Sequence, residues 1–251
     1  LHFSLKNYAV IVFLAIFAFS KMKQMQIKVN GLCHADDIRR VAQSGAGYVG
    51  MQFGKGKPHR VVMLQRSTGT LPDMAEADFS SLSSEGAVRA LSLVGMFSGE
   101  SAQSVITAVY SYGLDAVQFD DDCGAIFIRN LVGTVVPDIC PHLDIIKQFH
   151  VSCADDFAAY RQYEELAYRF IFRFDTDALR GISWDAKARI ADAYHGTVPF
   201  LVSCPVGEIR EVVAAFCRNS AFCGVDLNPD NESLTIAQYM QKVHEFVVNR
   251  E

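Results

Sequence analysis

The chain has 251 residues, half of them hydrophobic, and 23 Lys and Arg against 28 Asp and Glu give a net charge of −5. That length suits a single domain with a sizeable core, and the mild acidity leaves no basic footprint for nucleic acid. Seven cysteines without a Cys-x-x-Cys pair argue against a disulfide framework or structural zinc and for a reducing cytoplasm, the expected location.

Tyr8 to Phe19 (YAVIVFLAIFAF) is apolar and follows Lys6. The run is too short for a comfortable membrane span. It resembles the apolar region of a signal peptide, yet Ser20-Lys21-Met22-Lys23 follows in place of an Ala-x-Ala cleavage pattern. Residues 1–21 are taken as an apolar extension, an upstream stretch before a start at Met22 or Met25, and 22–251 as the domain. A genuine segment would instead imply export or membrane tethering.

From Gln26 onward, short Val/Ile/Phe runs alternate with amphipathic stretches. Ile27–Asn30 reads as the first strand, followed by a helix over about Ala35–Gln43 whose Asp36 and Asp37 suit its first turn. Tyr48–Phe53 is the second strand, followed by the glycine- and lysine-rich Gly54 to Arg60. Gln65 to Gly86 is rich in Ser, Thr, Gly and Asp and reads as a long loop with one short helix at most. Leu91–Phe97 is the third strand, Ser101–Tyr112 a helix ended by Gly113, and Ala116–Phe119 the fourth strand. No element is assigned between Asp122 and Leu143. The fifth strand is Leu143–Phe149. A helix over about Ala154–Glu165, the sixth strand Arg169–Phe174 and a helix within Ile182–Tyr194 follow. Val198–Val202 is the seventh strand, Glu208–Arg218 a helix, Phe222–Leu227 the eighth strand, and Ile236–Val248 the closing helix. About eight such units predict a single (β/α)₈ barrel of parallel strands, with a doubly wound open sheet as the alternative.

In such a barrel, chemistry sits at the C-terminal strand ends. Asp175 ends an apolar strand and can serve as acid or base if burial raises its pKa, or simply as a loop carboxylate. Lys147 lies within an apolar run, poised for a phosphate or carboxylate of a ligand or for an ion pair with a strand-tip Asp. Lys28 and Asp226 fall in the first and last strands, which adjoin in a closed barrel, so an ion pair is expected between them. Asp115 begins the fourth strand and reads as structural. Asp120-Asp121-Asp122 suits a solvated capping loop more often than a divalent cation, so no metal is expected. Ser203-Cys204-Pro205-Val206-Gly207 and Asn228-Pro229-Asp230-Asn231-Glu232 occupy the usual phosphate-binding positions. Their prolines donate no N–H, and Asp230 and Glu232 repel phosphate. Cys204 and Cys33 lie near the catalytic face, as nucleophile, base or, more commonly, inert thiol.

Several motifs resemble one family in order and spacing. Ile27-Lys28-Val29-Asn30-Gly31-Leu32 is similar to the opening Lys-[Ile/Val]-Cys-Gly-[Leu/Met] of phosphoribosylanthranilate isomerase. Gly47 to Phe53 resembles the family's Tyr-x-Gly-x-x-Phe, and Lys57-Pro58-His59-Arg60 its Ser-Pro-Arg. Val94-Gly95-Met96-Phe97 resembles its Val-Gly-Val-Phe, and Leu114 to Phe119 its Leu-Asp-x-Val-Gln-Leu. Phe174-Asp175-Thr176, Trp184 and Gly224-Val225-Asp226-Leu227-Asn228 complete the series over about Gln26 to Glu251.

The resemblance implies a cofactor-free Amadori rearrangement of N-(5-phosphoribosyl)anthranilate in tryptophan biosynthesis. It implies a phosphorylated small-molecule substrate and a monomer or homodimer. It makes Asp175 the general acid and places the family's Cys base on Asn30, which is no base. Cys33, three residues on, should point elsewhere. Substrate binding would fall to Arg60 or His59, Lys147, Asp120, Ser203, Cys204, Asp226 and Asn228. The family's His-Gly after strand four is Asp120-Asp121 here. Its Gly-Gly-x-Gly after strand six shrinks to about Leu179-Arg180-Gly181. Its Gly-Gly after strand seven is Ser203-Cys204, and its Ser-Gly after strand eight is Pro229-Asp230. The alternative is an inactive or repurposed barrel holding a less anionic ligand at Asp120, Lys147, Asp175 and Asp226.

Overall fold

In a computed structural model, residues 25–32, 34–54, 60–61, 63–66, 69–72, 91–135 and 140–249 are described. The expected extension 1–21, Cys33, His59 and the segment 73–90 lie outside them. Near-continuous burial along the strands requires two covered faces, and the chain supplies both by closing its sheet. The barrel strands are β1 (Gln26–Val29), β2 (Tyr48–Gln52), β5 (Ser92–Phe97), β6 (Ala116–Phe119), β7 (Asp144–His150), β8 (Arg169–Arg173), β9 (Phe200–Cys204) and β10 (Phe222–Leu227). They pair in the closed order β1-β10-β9-β8-β7-β6-β5-β2, every pair parallel. The open-sheet alternative is thereby excluded.

One face of the strands fills the lumen with Val94, Ala116, Ile146, Ile171 and Leu201. The other packs beneath the helices, where rings interlock edge to face or tilted: Phe172 lies 4.8 Å from Phe200 and 4.9 Å from Phe157 between ring centroids. The helices are α1 (Ala35–Ser44), α2 (Ala102–Tyr112), α3 (Ala125–Val135), α4 (Trp184–Ala191), α5 (Ile209–Phe216) and α6 (Ile236–Val248). Ser101, Ser183 and Thr235 cap α2, α4 and α6 through their side chains.

Four departures from the sequence expectations have local causes. The expected loop from Gln65 contains instead an antiparallel pair, β3 (Met63–Arg66) with β4 (Gly69–Pro72), outside the barrel. α3 fills the unassigned stretch and buries Ile128, Leu131 and Val135, one helical face. Ala154–Tyr163 is a 3₁₀ helix. Its buried Phe157, Tyr160 and Tyr163 recur every three residues, the period that stacks them on one face of a 3₁₀ turn. β9 runs two residues further than expected, so Ser203 and Cys204 belong to the strand, opposite Asp226 and Leu227 of β10.

Candidate functional site

The barrel's closing register sets Lys28 of β1 directly opposite Asp226 of β10. Both project into the lumen and are sealed: the side chains are 0% and 3% exposed, with Lys28 Nζ 2.9 Å from Asp226 Oδ1. Asn30, one turn of the pleat above Lys28, closes a triangle. Its Nδ2 donates to Asp226 Oδ1 at 2.8 Å, and its Oδ1 accepts from Lys28 Nζ. The expected ion pair is present, and Asn30 is bound into it. Burial pushes the Lys28 ammonium below its usual pKa, opposed by Asp226 beside it. Gly50 makes room for the arrangement, since a Cβ there would lie 2.3 Å from Asn30 Oδ1 and 2.7 Å from Met96 Sδ.

Above the triangle opens a cavity of about 570 Å³ lined by Asn30, Gln52, Met96, Gln118, Asp120, Gln148, His150 and Asn228, among others. Lumen-facing positions along the strands supply the carboxamides, and Gln118 Nε2 donates to Gln148 Oε1 at 3.2 Å. Asp120 Oδ2 accepts from Ser98 Oγ, and the Asp120 carbonyl accepts from Lys147 Nζ.

A second cavity, about 350 Å³, adjoins the first and shares Arg173 and Asn228 with it. Asp175, Ser203, Cys204, Trp184 and Lys187 line this one. The Asp175 carboxylate accepts from Arg173 Nε at 3.1 Å and lies 3.1 Å from His150 Nδ1. The His150 backbone N–H donates separately to Asp121 Oδ2 at 3.0 Å. The His150 hydrogen bond, with Arg173 alongside, holds Asp175 well below the ordinary carboxylate range. The same bond raises the His150 pKa above its usual value against partial burial. Asp175 thus stands as a fixed anion, the reverse of the raised pKa on which an acid role was expected to depend, and the imidazole beside it is held above its usual pKa.

Asn30, Asp120 and Asn228 come together around the larger cavity, while Asp175, Ser203, Cys204 and again Asn228 line the smaller. Asn30 and Asp175 do not share one pocket. Asp226 lies beneath both, committed to the triangle. Lys147 corrects its expectation: Ile146 faces the lumen, so Lys147 points to the helix layer, with Nζ 5.3 Å and 5.2 Å from the Phe149 and Tyr163 ring centres. It grips a backbone carbonyl, neither a cavity nor a carboxylate. Arg60 donates from Nε to the Phe53 carbonyl at 3.1 Å and is not among the residues lining either cavity. The Cys204 thiol is buried and its pKa pushed well up by desolvation, which favours the inert reading. Asp115 accepts the Leu93 N–H at 2.7 Å, a structural role as expected.

The loop after β9 is already capped. Val206 N–H donates to Glu232 at 2.8 Å, so this chain's own carboxylate holds a backbone donor that an anion would need. Among the described residues, no group of three or more His, Cys, Asp or Glu is placed to hold a metal ion. No described helix is long and apolar enough to cross a membrane. Sequence reasoning missed His150, Arg173, Gln52, Gln118 and Gln148. Polar residues at alternate positions of apolar strands, as in Val117-Gln118-Phe119 and Phe172-Arg173-Phe174, were the available signal.

No family model matches the chain. It is 27% identical over 232 residues to N-(5′-phosphoribosyl)anthranilate isomerase of Parabacteroides distasonis, covering 89% of this chain and 92% of that one. With the protein of that name from Phocaeicola vulgatus it shares 23% over 228 residues, 89% of this chain and 96% of the other. Among solved structures, phosphoribosyl anthranilate isomerase from Thermotoga maritima superposes with a TM-score of 0.65 at 15% identity over 90% of this chain and 99% of that one. The Thermus thermophilus enzyme gives 0.63 at 15% identity, over 90% and 100%. The structural likeness reports the fold, and the sequence likeness spans nearly the whole of it. Over nearly its whole length the chain is similar in sequence to curated phosphoribosylanthranilate isomerases, and it shares their fold.

Proposed function

We propose that this protein is a phosphoribosylanthranilate isomerase-like barrel. Its kind carries out, without cofactor, the Amadori rearrangement of N-(5-phosphoribosyl)anthranilate in tryptophan biosynthesis. In this chain that reaction is reduced by about 10²–10⁴-fold, the usual contribution of a positioned acid or base. One observation carries the second half: the Asn30 carboxamide, where the family's Cys base belongs, is hydrogen-bonded on both sides to Lys28 and Asp226. An amide accepts no proton at accessible pH, and this one is not free to turn toward a substrate. The Asp175 anion compounds the loss, because a general acid must arrive protonated.

The first half is supported by sequence likeness over most of the chain to relatives bearing that name. The test is loss of fluorescence of freshly made phosphoribosylanthranilate, with the protein run beside its Asp175→Asn variant. We expect turnover indistinguishable from the variant. Rapid turnover that the Asp175→Asn change abolishes would mean an unrecognised base is at work and the impairment does not exist.

A second reading is favoured by the Val206–Glu232 bond: the barrel holds a less anionic ligand than its relatives'. In that reading the loop after β9 no longer serves phosphate.

A further inference from the structure

The larger cavity is walled by carboxamides on five different segments: Asn30 after β1, Gln52 on β2, Gln118 on β6, Gln148 on β7 and Asn228 after β10. Gln52, Gln118 and Gln148 are 8%, 2% and 6% exposed, so these amides have left bulk water for the cavity wall. Burying an amide costs free energy unless its hydrogen-bonding groups find partners. Gln118 Oε1 has none, nor does Asp120 Oδ1 in the same wall. Gln118 is fixed at its other end by Gln148, so reversing the amide would leave a nitrogen stranded in place of the oxygen. The Gln52 carboxamide makes no hydrogen bond to another described residue. The carboxamides and carboxylates that line this cavity suit an occupant that supplies donors and acceptors together.

Charge narrows the class. Asp120, Asp121, Asp122 and Asp230 line the cavity, opposed by Arg173 and His150, both of which are already paired with Asp175. An anion there meets a guanidinium already shared with Asp175 and is repelled by the carboxylates. Hydroxyls fit: each donates and accepts, as each carboxamide does, and each can donate to a carboxylate. Met96 and Phe97 add an apolar strip to the wall, suited to the C–H face of such a molecule.

We infer that this cavity binds an uncharged, polyhydroxylated small molecule through the Gln52, Gln118 and Gln148 carboxamides. The inference rests on the second reading above, in which the ligand is less anionic than the relatives'. It is tested with the full-length protein by saturation-transfer NMR and titration, using ribitol as neutral probe and ribose 5-phosphate as its anionic counterpart.

The expected result is saturation transfer to ribitol with millimolar affinity, ribose 5-phosphate binding no more tightly, and at least tenfold weaker ribitol binding in Gln118→Leu. Gln52→Ala, at a less deeply buried position, gives the same reading if Gln118→Leu does not fold. Absence of transfer to either probe would mean the cavity holds water only, and this inference alone falls. Ribose 5-phosphate binding tenfold or more tightly than ribitol would overturn the less-anionic reading with it. Unchanged ribitol affinity in both variants would place the binding elsewhere and overturn the assignment to these amides.

Discussion

Two clusters at the strand ends are built from the same parts and behave oppositely. Lys28, Asp226 and Asn30 form a cation, a carboxylate and a polar third member with almost no exposure. Arg173, Asp175 and His150 repeat the pattern on β7 and β8, yet their side chains are 25%, 49% and 41% exposed. In the sealed triangle every charge is matched internally, and water cannot deliver or remove a proton readily. In the open cluster the histidine can exchange its proton with solvent while its carboxylate partner fixes the ring. The lesson is that homologous-looking positions do not carry chemistry by position alone. On the first strand Asn30 is part of the barrel's internal wiring, whereas Arg173, Asp175 and His150 keep their titratable groups open to solvent.

The sealed cluster should break hardest. Lys28→Met leaves Asp226 as an uncompensated buried charge, and removing one partner of a buried pair typically costs about 3–5 kcal/mol. Urea denaturation at neutral pH is expected to show a loss of that order, partly recovered when Asp226→Leu is added. A loss below about 1 kcal/mol, the scale of an exposed pair, would mean that water reaches the triangle and the contrast is wrong.

Asp175→Asn removes the charge from the open cluster. Half-exposed ion pairs are screened by solvent, and their contribution is about 0–1 kcal/mol. The same denaturation experiment should therefore move far less than for Lys28→Met. Equal losses would erase the distinction between the clusters.

The barrel and the Lys28–Asp226 pair were legible because both follow from period and adjacency. Short apolar strand runs recur eight times, and the first and last must touch when the sheet closes. The assignment of Lys147 failed on the same arithmetic applied one step short: residue 146 fills the lumen, so residue 147 cannot. His150 was passed over because it stands at the strand's end, where sequence alone does not distinguish a loop residue from a lumen residue. Glu232 was recognised as hostile to phosphate. Its bond to Val206, however, joins loops 26 positions apart, and only the folded chain brings them together. Local pattern thus carries the scaffold, whereas the site depends on long-range pairings that no window of sequence contains.

The finest distinction between the clusters is their response to pH. His150 has a raised pKa in the fold, so its stabilising pairing is fully present below the unfolded value of about 6.5 and is lost as pH rises through the folded value. Asp175 has a depressed pKa, so its contribution is present above about pH 4 and is lost as pH falls toward the folded value. The histidine–carboxylate pair is therefore strongest between about pH 4 and 6.5. The stability difference between the protein and Asp175→Asn should be largest near pH 5–6 and shrink by pH 9. It should not vanish there, because Arg173 keeps its hold on Asp175. The amplitude should stay under about 1 kcal/mol, since both side chains are well solvated. NMR titration of the His150 ring provides the direct check, with a midpoint that drops toward 6.5 when Asp175 becomes Asn. An unmoved midpoint would mean that Asp175 does not govern the histidine, and the open cluster would lose its claim to be the chemically competent one.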